Sequence, residues 1–314
     1  MDIEQSKIIL ISGPTASGKS DFAIKLAEKL NGEIINADSM QVYKQLKILT
    51  ARPNKKNQKN IRHHLYGIIN VNKNFSTGQW LRLASSKIKE IRKRKRIPIL
   101  VGGTGLYFKS LTDGLVKIPN IPFKLRNKII LIQKKDGQKK FYEKLLKFDP
   151  KVKNKFDPND TQRSIRAFEI MKHTKISMYD WLDKTKSKFK ESEFLKLYID
   201  FERENLIKRI AQRTSKMIKD GAIQEVKKFN KLKINKKLSV SKVIGIVELT
   251  KYLDNQIEIK ELKELITIRT RQYAKRQVTW ARSKMISWNK IDPNEILYWI
   301  KKINKSSLKL DQLI

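Results

Sequence analysis

A short stretch near the start of the chain has the residue types and spacing that bind phosphate. It reads GPTASGKS and fits the pattern G-x-x-x-x-G-K-[ST]. Glycine permits backbone conformations that direct N–H groups toward phosphate oxygens, the lysine adds a positive charge, and the serine hydroxyl can bind Mg²⁺. The pattern predicts a phosphate site without identifying the phosphate compound. The residues of this predicted phosphate loop are Gly13, Pro14, Thr15, Ala16, Ser17, Gly18, Lys19 and Ser20.

Asp38 is the leading candidate for acid–base chemistry. It ends the segment EIINAD, residues 33–38, which reads as a second strand. Because ligands of parallel α/β sheets bind beyond the carboxyl ends of strands, we expect Asp38 beside the phosphate loop. There it would act as a general base or a metal ligand. It would equally well cap the first turn of a helix that follows the strand.

Two further features would complete a cleft for an anionic ligand. A strand at residues 97–101 leads into a second glycine turn, in which Thr104 is the polar side chain. Glycines at such a turn let the backbone approach a ligand closely, and two glycine turns at one edge of a sheet predict a shared cleft. Arg213 follows a later strand, residues 194–200, and would reach this cleft as a clamp for anionic oxygen.

The elements that must position these residues alternate between strands and helices. Residues 8–11 form an apolar strand ahead of the phosphate loop, and the apolar residues of 22–30 have helical spacing. This order predicts an α/β fold, a P-loop NTPase-like parallel sheet flanked by helices. Further helices are predicted at residues 80–91, 106–111, 203–219, 223–232, 240–253 and 260–287.

Residues 113–193 differ in sequence pattern from the segments before them, because they read as short helical pieces that are rich in Lys and interrupted by Pro. The return of a strand afterwards indicates an inserted small helical domain rather than a second domain in series. Within it, Arg163 and Arg166 lie one helical turn apart, and Gln162 is adjacent. These side chains would either contact phosphates and bases or form a solvated helix face. The predicted P-loop-containing core comprises residues 1–112 and 194–314.

The composition favours an anionic partner. The chain has 70 Lys and Arg against 31 Asp and Glu, a net charge of +39. Such a field attracts nucleic acid and makes its binding salt-dependent, although the general lysine enrichment of an AT-rich genome would give the same composition. The chain has no cysteine, no N-terminal signal pattern and no apolar run near the about 20 residues of a membrane span. We therefore expect a cytoplasmic protein without membrane contact, and a monomer.

The last long helix is predicted to be basic on two faces. An ordinary surface helix has one polar and one apolar face, so one side of this helix is expected to meet the core or the cleft. Interleaved aromatic and basic residues suit nucleic acid, and they suit anchoring of the helix to the core equally well. One face carries Arg269, Tyr273, Arg276 and Trp280, and the opposite face carries Arg271, Lys275 and Arg282.

Ordered motifs run along nearly the whole chain: GPTASGKS (13–20), DSMQVY (38–43), TARP (50–53), HHL (63–65), VGGTGLY (101–107), NDTQRSIRA (159–167), RIAQR-x-x-x-M-x-x-x-G (209–221) and RQYAKRQ-x-TW (271–280). Together they resemble the motifs of tRNA dimethylallyltransferases, also called tRNA isopentenyltransferases. Several of them are specific to that family rather than general to phosphate loops. The chain departs from the family pattern at Leu49, Arg62 and Ile246.

The resemblance implies transfer of a dimethylallyl group from dimethylallyl diphosphate to N6 of the adenosine adjacent to the anticodon in tRNA, with release of diphosphate. It implies that the phosphate loop holds the diphosphate with Mg²⁺, which Ser20 would bind. Asp38 would take the proton from the amine. Thr15 would face the substrates, and Lys19 and Arg213 would hold the diphosphate.

The implied macromolecular partner is the anticodon stem–loop of tRNA. A P-loop small-molecule or nucleotide kinase is one alternative, because it would use the same loop with Asp38 as base or metal ligand. A non-catalytic RNA-binding protein with a nucleotide switch is the other, although it would have no use for a base at Asp38. A kinase needs no basic surface of anticodon size. The residues expected to contact tRNA are Asp38, Ser39, Met40, Gln41, Thr104, Gln162, Arg163, Ser164, Ile165, Arg166 and Arg276.

Overall fold

Short runs of Ile, Leu and Val form the strands of a parallel sheet. The computed structural model describes residues 7–54 and 58–303, so residues 1–6, 55–57 and 304–314 of the predicted core lie outside it. The described strands are β1 (Ile8–Ser12), β2 (Gly32–Asn36), β3 (His63–His64), β4 (Ile97–Gly102), β5 (Phe194–Ile199) and β6 (Asn289–Ile291). Their order is β3-β2-β4-β1-β5-β6, and every neighbouring pair is parallel, which confirms the predicted sheet.

Helices connect and flank these strands. None of the described helices is long and apolar enough to cross a lipid bilayer. The described α-helices are α1 (Lys19–Leu30), α2 (Thr77–Lys93), α3 (Gly105–Thr112), α4 (Phe123–Phe148, kinked at Gly137), α5 (Thr161–Thr174), α6 (Met178–Asp183), α7 (Arg203–Lys219), α8 (Ala222–Lys231), α9 (Ile246–Leu253), α10 (Ile259–Lys284) and α11 (Ile296–Lys302).

The sheet is apolar on both faces, as expected for parallel strands covered by helices on each side. Successive side chains of β1 point in opposite directions. Leu10 packs in one cluster with Trp80 of α2, whereas Ile9 packs in another with Phe22 of α1. These buried clusters fix the carboxyl ends of β1, β2 and β4, from which the loops of the site emerge.

Glu33 of β2 fastens the short strand β3 to the sheet. Its fully buried carboxylate lies 2.6 Å from His64 Nε2 and accepts hydrogen bonds from Arg94, the closer at 2.7 Å. Burial raises the pKa of Glu33, but the hydrogen bonds from Arg94 and His64 outweigh it, so the pKa lies below its ordinary value. Arg94, directly after α2, thus forms a structural ion pair with Glu33.

The chain forms two compact units. One contains the sheet and extends up to Thr112 and from Phe189 onward; the other is Asp113–Lys188. The second unit is helical and has its own apolar cluster, which includes Tyr142 of α4 and Ala167 of α5.

The prediction of one helix over residues 240–253 is wrong. The chain forms a 3₁₀ turn at Ser239–Lys242, and α9 begins at Ile246. Gly245 separates them in a left-handed conformation with φ of 103°, which glycine adopts without a steric penalty. A Cβ atom there would lie 2.6 Å from Leu49 Cδ2, so this glycine also permits close packing of α9 on the loop that follows β2.

Candidate active site

The phosphate loop joins β1 to α1 in a conformation suited to anion binding. Ala16 and Gly18 have positive φ angles of 66° and 86°, and α1 begins directly afterwards at Lys19. Alternation of right- and left-handed residues makes successive N–H groups converge, and the helix N-terminus adds a partial positive charge. A hydrogen bond of 3.2 Å from the Ser17 N–H to the Pro14 carbonyl closes the turn. The loop is a preformed anion cradle.

Two hydroxyl groups of this loop have no partner within the described residues. Ser17 Oγ is buried and makes no hydrogen bond. Ser20 Oγ, in the first turn of α1, also makes none. A buried polar atom without a partner is costly, so an oxygen of a bound ligand is the expected partner of Ser17. Ser20 fits the role of a Mg²⁺ ligand, since Mg²⁺ is usually held by one or two protein oxygens together with substrate phosphates.

Side chains from α7 and α10 hold the loop in place. Arg213 Nη1 donates to Thr15 Oγ1 at 2.9 Å, and the Thr15 N–H donates to Gln277 Oε1 at 2.8 Å. Arg209 Nε donates to the Ala16 carbonyl at 2.8 Å. The predicted residue Arg213 therefore reaches the phosphate loop from a helix that is distant in sequence.

Asp38 follows β2 and caps a turn instead of a helix. Its Oδ1 accepts the Met40 N–H at 2.8 Å, and the residues after it form bends and turns. Thr104 secures the same turn, because its Oγ1 accepts the Ser39 N–H at 2.9 Å. The side chain of Gln41 donates to the Thr50 carbonyl at 2.9 Å. The structure thus brings Asp38, Ser39, Met40 and Thr104 together at the carboxyl ends of β2 and β4.

Electrostatic coupling connects Asp38 with the cations of the phosphate loop. Burial lowers the pKa of Lys19 to about 8, with Asp38 opposing and Arg213 reinforcing this shift. Burial also lowers the pKa of Arg213, which Asp38 again opposes. Burial and the negative charge of Asp38 raise the pKa of Tyr273. The charge of Asp38 therefore acts on two buried cations and a buried phenol.

A cavity of about 290 Å³ opens between the phosphate loop and the turn after Asp38. Its volume lies near the lower end of the roughly 300–1,000 Å³ typical of small-molecule sites. Both polar groups and aromatic rings line it. Its lining includes Ser12, Gly13, Ser39, Met40, Thr104, Tyr198, Tyr273, Arg276, Gln277 and Trp280.

The second glycine turn lines the cavity and also packs closely against α10. We expected its glycines to let the backbone approach a ligand. A Cβ atom at Gly103 would lie 2.1 Å from Gln277 Nε2, and one at Gly105 would lie 2.3 Å from the Trp280 ring. These glycines make room for α10, which brings Gln277 Nε2 to 2.9 Å from the Gly103 carbonyl, and the approach of a ligand to this turn stays a prediction.

The two basic faces of α10 meet different surroundings. Tyr273, Arg276 and Trp280 line the cavity beside the phosphate loop. The opposite face, with Arg271, Lys275 and Arg282, borders a second cavity of about 670 Å³ next to α7. Arg269, which we grouped with the first face, pairs with Glu248 at 2.8 Å.

The predicted tRNA contacts of the inserted region lie on α5 of the second unit. Gln162 and Arg163 are exposed, and Arg163 pairs with Asp160 at 3.3 Å. Arg166 donates to Glu169 at 3.0 Å, and Ile165 is half-buried. Ser164 has no exposed surface and accepts a hydrogen bond from Gln138 at 3.0 Å. We therefore assign the Ser164 side chain to packing within this unit.

The three residues that depart from the family pattern lie in an apolar cluster or near a buried carboxylate. Leu49 and Ile246 are buried in one apolar cluster of the first unit. Arg62 lies 4.0 Å from Glu33.

Sequence reasoning missed Asn36 and Gln277 as residues of the site. Both are amides whose partners are backbone groups, and no spacing rule identifies those partners. Gln277 lies within the motif at 271–280, so its position in that motif was the available signal.

Comparisons with known proteins identify the family. A family model described as IPP transferase matches residues 41–284. A protein named tRNA dimethylallyltransferase from Pelagibacter ubique (strain HTCC1062) is 69% identical over 310 residues, which cover 99% of each chain. A protein of that name from Rickettsia conorii is 41% identical over 90% of this chain and 78% of its own.

Solved structures are similar along most of the chain. The full-length tRNA isopentenylpyrophosphate transferase from Bacillus halodurans aligns with a TM-score of 0.67 and 32% identity over 94% of this chain and 95% of that one. A eukaryotic dimethylallyltransferase acting on tRNA aligns with a TM-score of 0.82 and 31% identity over 96% of this chain and 77% of that one. The phosphate loop, the carboxylate beside it and these similarities lead to one conclusion: the chain belongs to the tRNA dimethylallyltransferase family.

Proposed function

We propose that this protein transfers a dimethylallyl group from dimethylallyl diphosphate to N6 of the adenosine adjacent to the anticodon in tRNA. The observation that carries the proposal is the shared environment of Asp38, Lys19 and Arg213 beside the anion cradle. A proton acceptor and a diphosphate site must lie side by side for this reaction. Family membership supports the same assignment.

Asp38 accepts the proton of the attacking amine in this proposal. The lone pair of an adenine N6 is delocalised into the ring, so attack on carbon requires removal of a proton as the new bond forms. The N6–C bond forms, the C–O bond to diphosphate breaks with its electron pair left on oxygen, and the proton passes to the Asp38 carboxylate. Since Oδ1 already accepts the Met40 N–H, Oδ2 is the proton acceptor.

The leaving diphosphate is stabilised by the cradle. Negative charge grows on its bridging oxygen as the C–O bond breaks, and preorganised donors oppose that charge at low cost. The loop N–H groups, Lys19 and Arg213 are the donors, and Thr15 is held toward the substrates by its bond to Arg213. Ser20 would hold Mg²⁺ together with diphosphate oxygens, and the bound metal would neutralise part of the diphosphate charge.

The adenine enters from the side of the turn at residues 38–41. A base must leave its stack to reach the buried carbon, and aromatic or guanidinium planes then replace the lost stacking. Tyr273, Arg276 and Trp280 offer such planes in the cavity. We propose that tRNA is contacted there by Ser39, Met40, Gln41, Thr104 and Arg276. The inserted domain would contact the anticodon stem–loop through Gln162, Arg163, Ile165 and Arg166. We also propose that the protein acts as a monomer.

Digestion of product tRNA to nucleosides tests the proposal. The protein is incubated with unmodified tRNA, dimethylallyl diphosphate and Mg²⁺, and the nucleosides are separated by mass. We expect an adenosine heavier by one dimethylallyl group at the position next to the anticodon. Absence of that nucleoside, together with ATP-dependent phosphorylation of a small acceptor, would assign the site to a kinase instead.

A further inference from the structure

Asn36 is a buried polar side chain to which the mechanism above assigns no role. It is the last residue of β2, and its side chain has no exposed surface. A buried primary amide carries two N–H donors and one carbonyl acceptor that must find partners within the protein. The identity of those partners shows which part of the molecule the amide holds.

The side-chain amide of Asn36 forms hydrogen bonds with both the N–H and the carbonyl group of Asp38. Its Oδ1 accepts the Asp38 N–H at 2.9 Å, and its Nδ2 donates to the Asp38 carbonyl at 3.0 Å. The same nitrogen donates to the Leu65 carbonyl at 3.1 Å. Because both peptide groups that flank the Asp38 Cα are bound, the direction of the Asp38 side chain is restricted.

The position of Asn36 is fixed in turn by the core. Trp80 Nε1 donates to the Asn36 carbonyl at 2.8 Å, and the Trp80 ring stacks on Tyr107 with centroids 4.3 Å apart. Leu65, which receives the second Nδ2 hydrogen bond, directly follows β3. The turn at Asp38 is thus connected through the side chain and backbone of Asn36 to α2, α3 and the residue after β3.

We propose that Asn36 is a positioning residue for the transfer reaction. It sets the Asp38 carboxylate so that Oδ1 faces the Met40 N–H and Oδ2, which makes no hydrogen bond within the described residues, stays available for the proton of the amine. The inference rests on the proposed function of Asp38. Asparagine suits the position because a carboxylate there would face two carbonyl oxygens, and an apolar side chain would leave the Asp38 N–H unbonded.

Substitutions of Asn36 with nearly the same size test the proposal. Asn36→Asp and Asn36→Leu should lower kcat about 10²-fold, as expected for a displacement of about 1 Å at a reacting group, with both KM values unchanged. Asn289→Asp is the matched control, because Asn289 of β6 also donates to a backbone carbonyl, that of Lys196 at 3.1 Å, but is exposed. We expect the control to retain wild-type kcat.

Amide hydrogen exchange provides a readout that does not depend on activity. The Asp38 N–H should exchange faster in Asn36→Leu, which has no acceptor for it, while amides of β1 keep their protection. Unchanged exchange at Asp38 in Asn36→Leu, or a kcat that falls only with the folded fraction in either variant, would overturn the proposal. If the wild-type protein did not prenylate tRNA, the proposed function would fail, while exchange at Asp38 would still decide the role of Asn36. Should Asn36→Asp not fold, Asn36→Ser keeps one donor and one acceptor and should show a smaller loss.

Discussion

Asp38 is the residue on which the proposed reaction depends most directly. Asp38→Asn keeps the shape of the side chain and an oxygen for the Met40 N–H, but an amide cannot take up the proton. We expect turnover to fall by about 10²–10⁴-fold, the usual contribution of a general base, with unchanged tRNA affinity in a filter-binding assay.

Asp220→Asn is the control for this substitution. Asp220 follows α7, is exposed and pairs with Lys216 at 3.5 Å, so its loss should leave turnover unchanged. Loss of tRNA binding with intact turnover in Asp38→Asn would reverse the assignment of Asp38 from proton acceptor to RNA contact.

Deprotonation of Lys19 should weaken the binding of dimethylallyl diphosphate at alkaline pH. Its pKa is lowered from 10.5 to about 8, so the free enzyme loses this charge as the pH rises through about 8. We expect kcat/KM for dimethylallyl diphosphate to fall above that pH, because this parameter reports the free enzyme. Lys19→Arg keeps the charge and should remove this alkaline limit, even if its overall rate is lower.

Unfolding does not explain the expected loss of activity. Between about pH 8 and 10.5 the unfolded chain carries a proton on Lys19 that the folded chain has lost. The unfolded state therefore binds more protons, and this group makes the free energy of unfolding rise with pH in that interval. Thermal unfolding measured at each pH separates the two effects, and an alkaline limit that persists in Lys19→Arg would contradict the assignment.

Pattern reasoning located the charged residues of the site but not the amides. The roles of Lys19 and Asp38 could be predicted because each is a charged residue type that follows a predicted strand. Asn36 and Gln277 act by holding backbone groups, and the Thr15 N–H that Gln277 binds lies 262 residues away. A contact of that separation has no local signal, because it depends on the packing of a whole helix against the sheet.

Helix α10 connects the two glycine turns of the site through one side chain. Gln277 accepts from the Thr15 N–H at 2.8 Å and donates to the Gly103 carbonyl at 2.9 Å. Gln277→Ala leaves the Thr15 N–H without this partner, which costs about 1–3 kcal/mol for a buried group. We expect the affinity for dimethylallyl diphosphate, measured by calorimetry, to weaken by about tenfold.

Gln272→Ala is the control on the same helix. Gln272 is exposed and borders the second cavity, so donor affinity should not change. Equal weakening in both variants would mean that α10 acts through its overall stability instead of through the bond to the phosphate loop.

The order of strands and helices could be predicted, whereas several turns could not. Apolar runs identified β1, β4 and β5, and α7 has the predicted bounds of 203–219. The break before α9 was missed because Ile and Val on both sides of Gly245 continue the helical spacing. Its cause is tertiary, since Leu49 packs where a Cβ atom at Gly245 would lie. The close approach of Trp280 to Gly105 is hidden from the sequence for the same reason.

The net charge of +39 does not identify the RNA-contacting residues. A basic chain attracts tRNA with its whole field, and lysines spread over the surface add to that field whether or not they touch a phosphate. The salt dependence of binding separates the two contributions. Each contacted phosphate releases counterions and adds about 0.7–0.9 to the slope of log affinity against log salt concentration.

Arg163→Ala tests whether the inserted domain makes such a contact. Arg163 is exposed on α5 and lies near the N-terminus of that helix, where it pairs with Asp160. We expect weaker tRNA binding and a salt slope that is smaller by about 0.7–0.9, with unchanged affinity for dimethylallyl diphosphate. Lys227→Ala, on the exposed face of α8, should leave the slope unchanged. Each variant loses one positive charge, so comparing the two cancels the loss of long-range attraction to tRNA. Equal salt slopes in the two variants would mean that Arg163 serves only as a structural partner of Asp160.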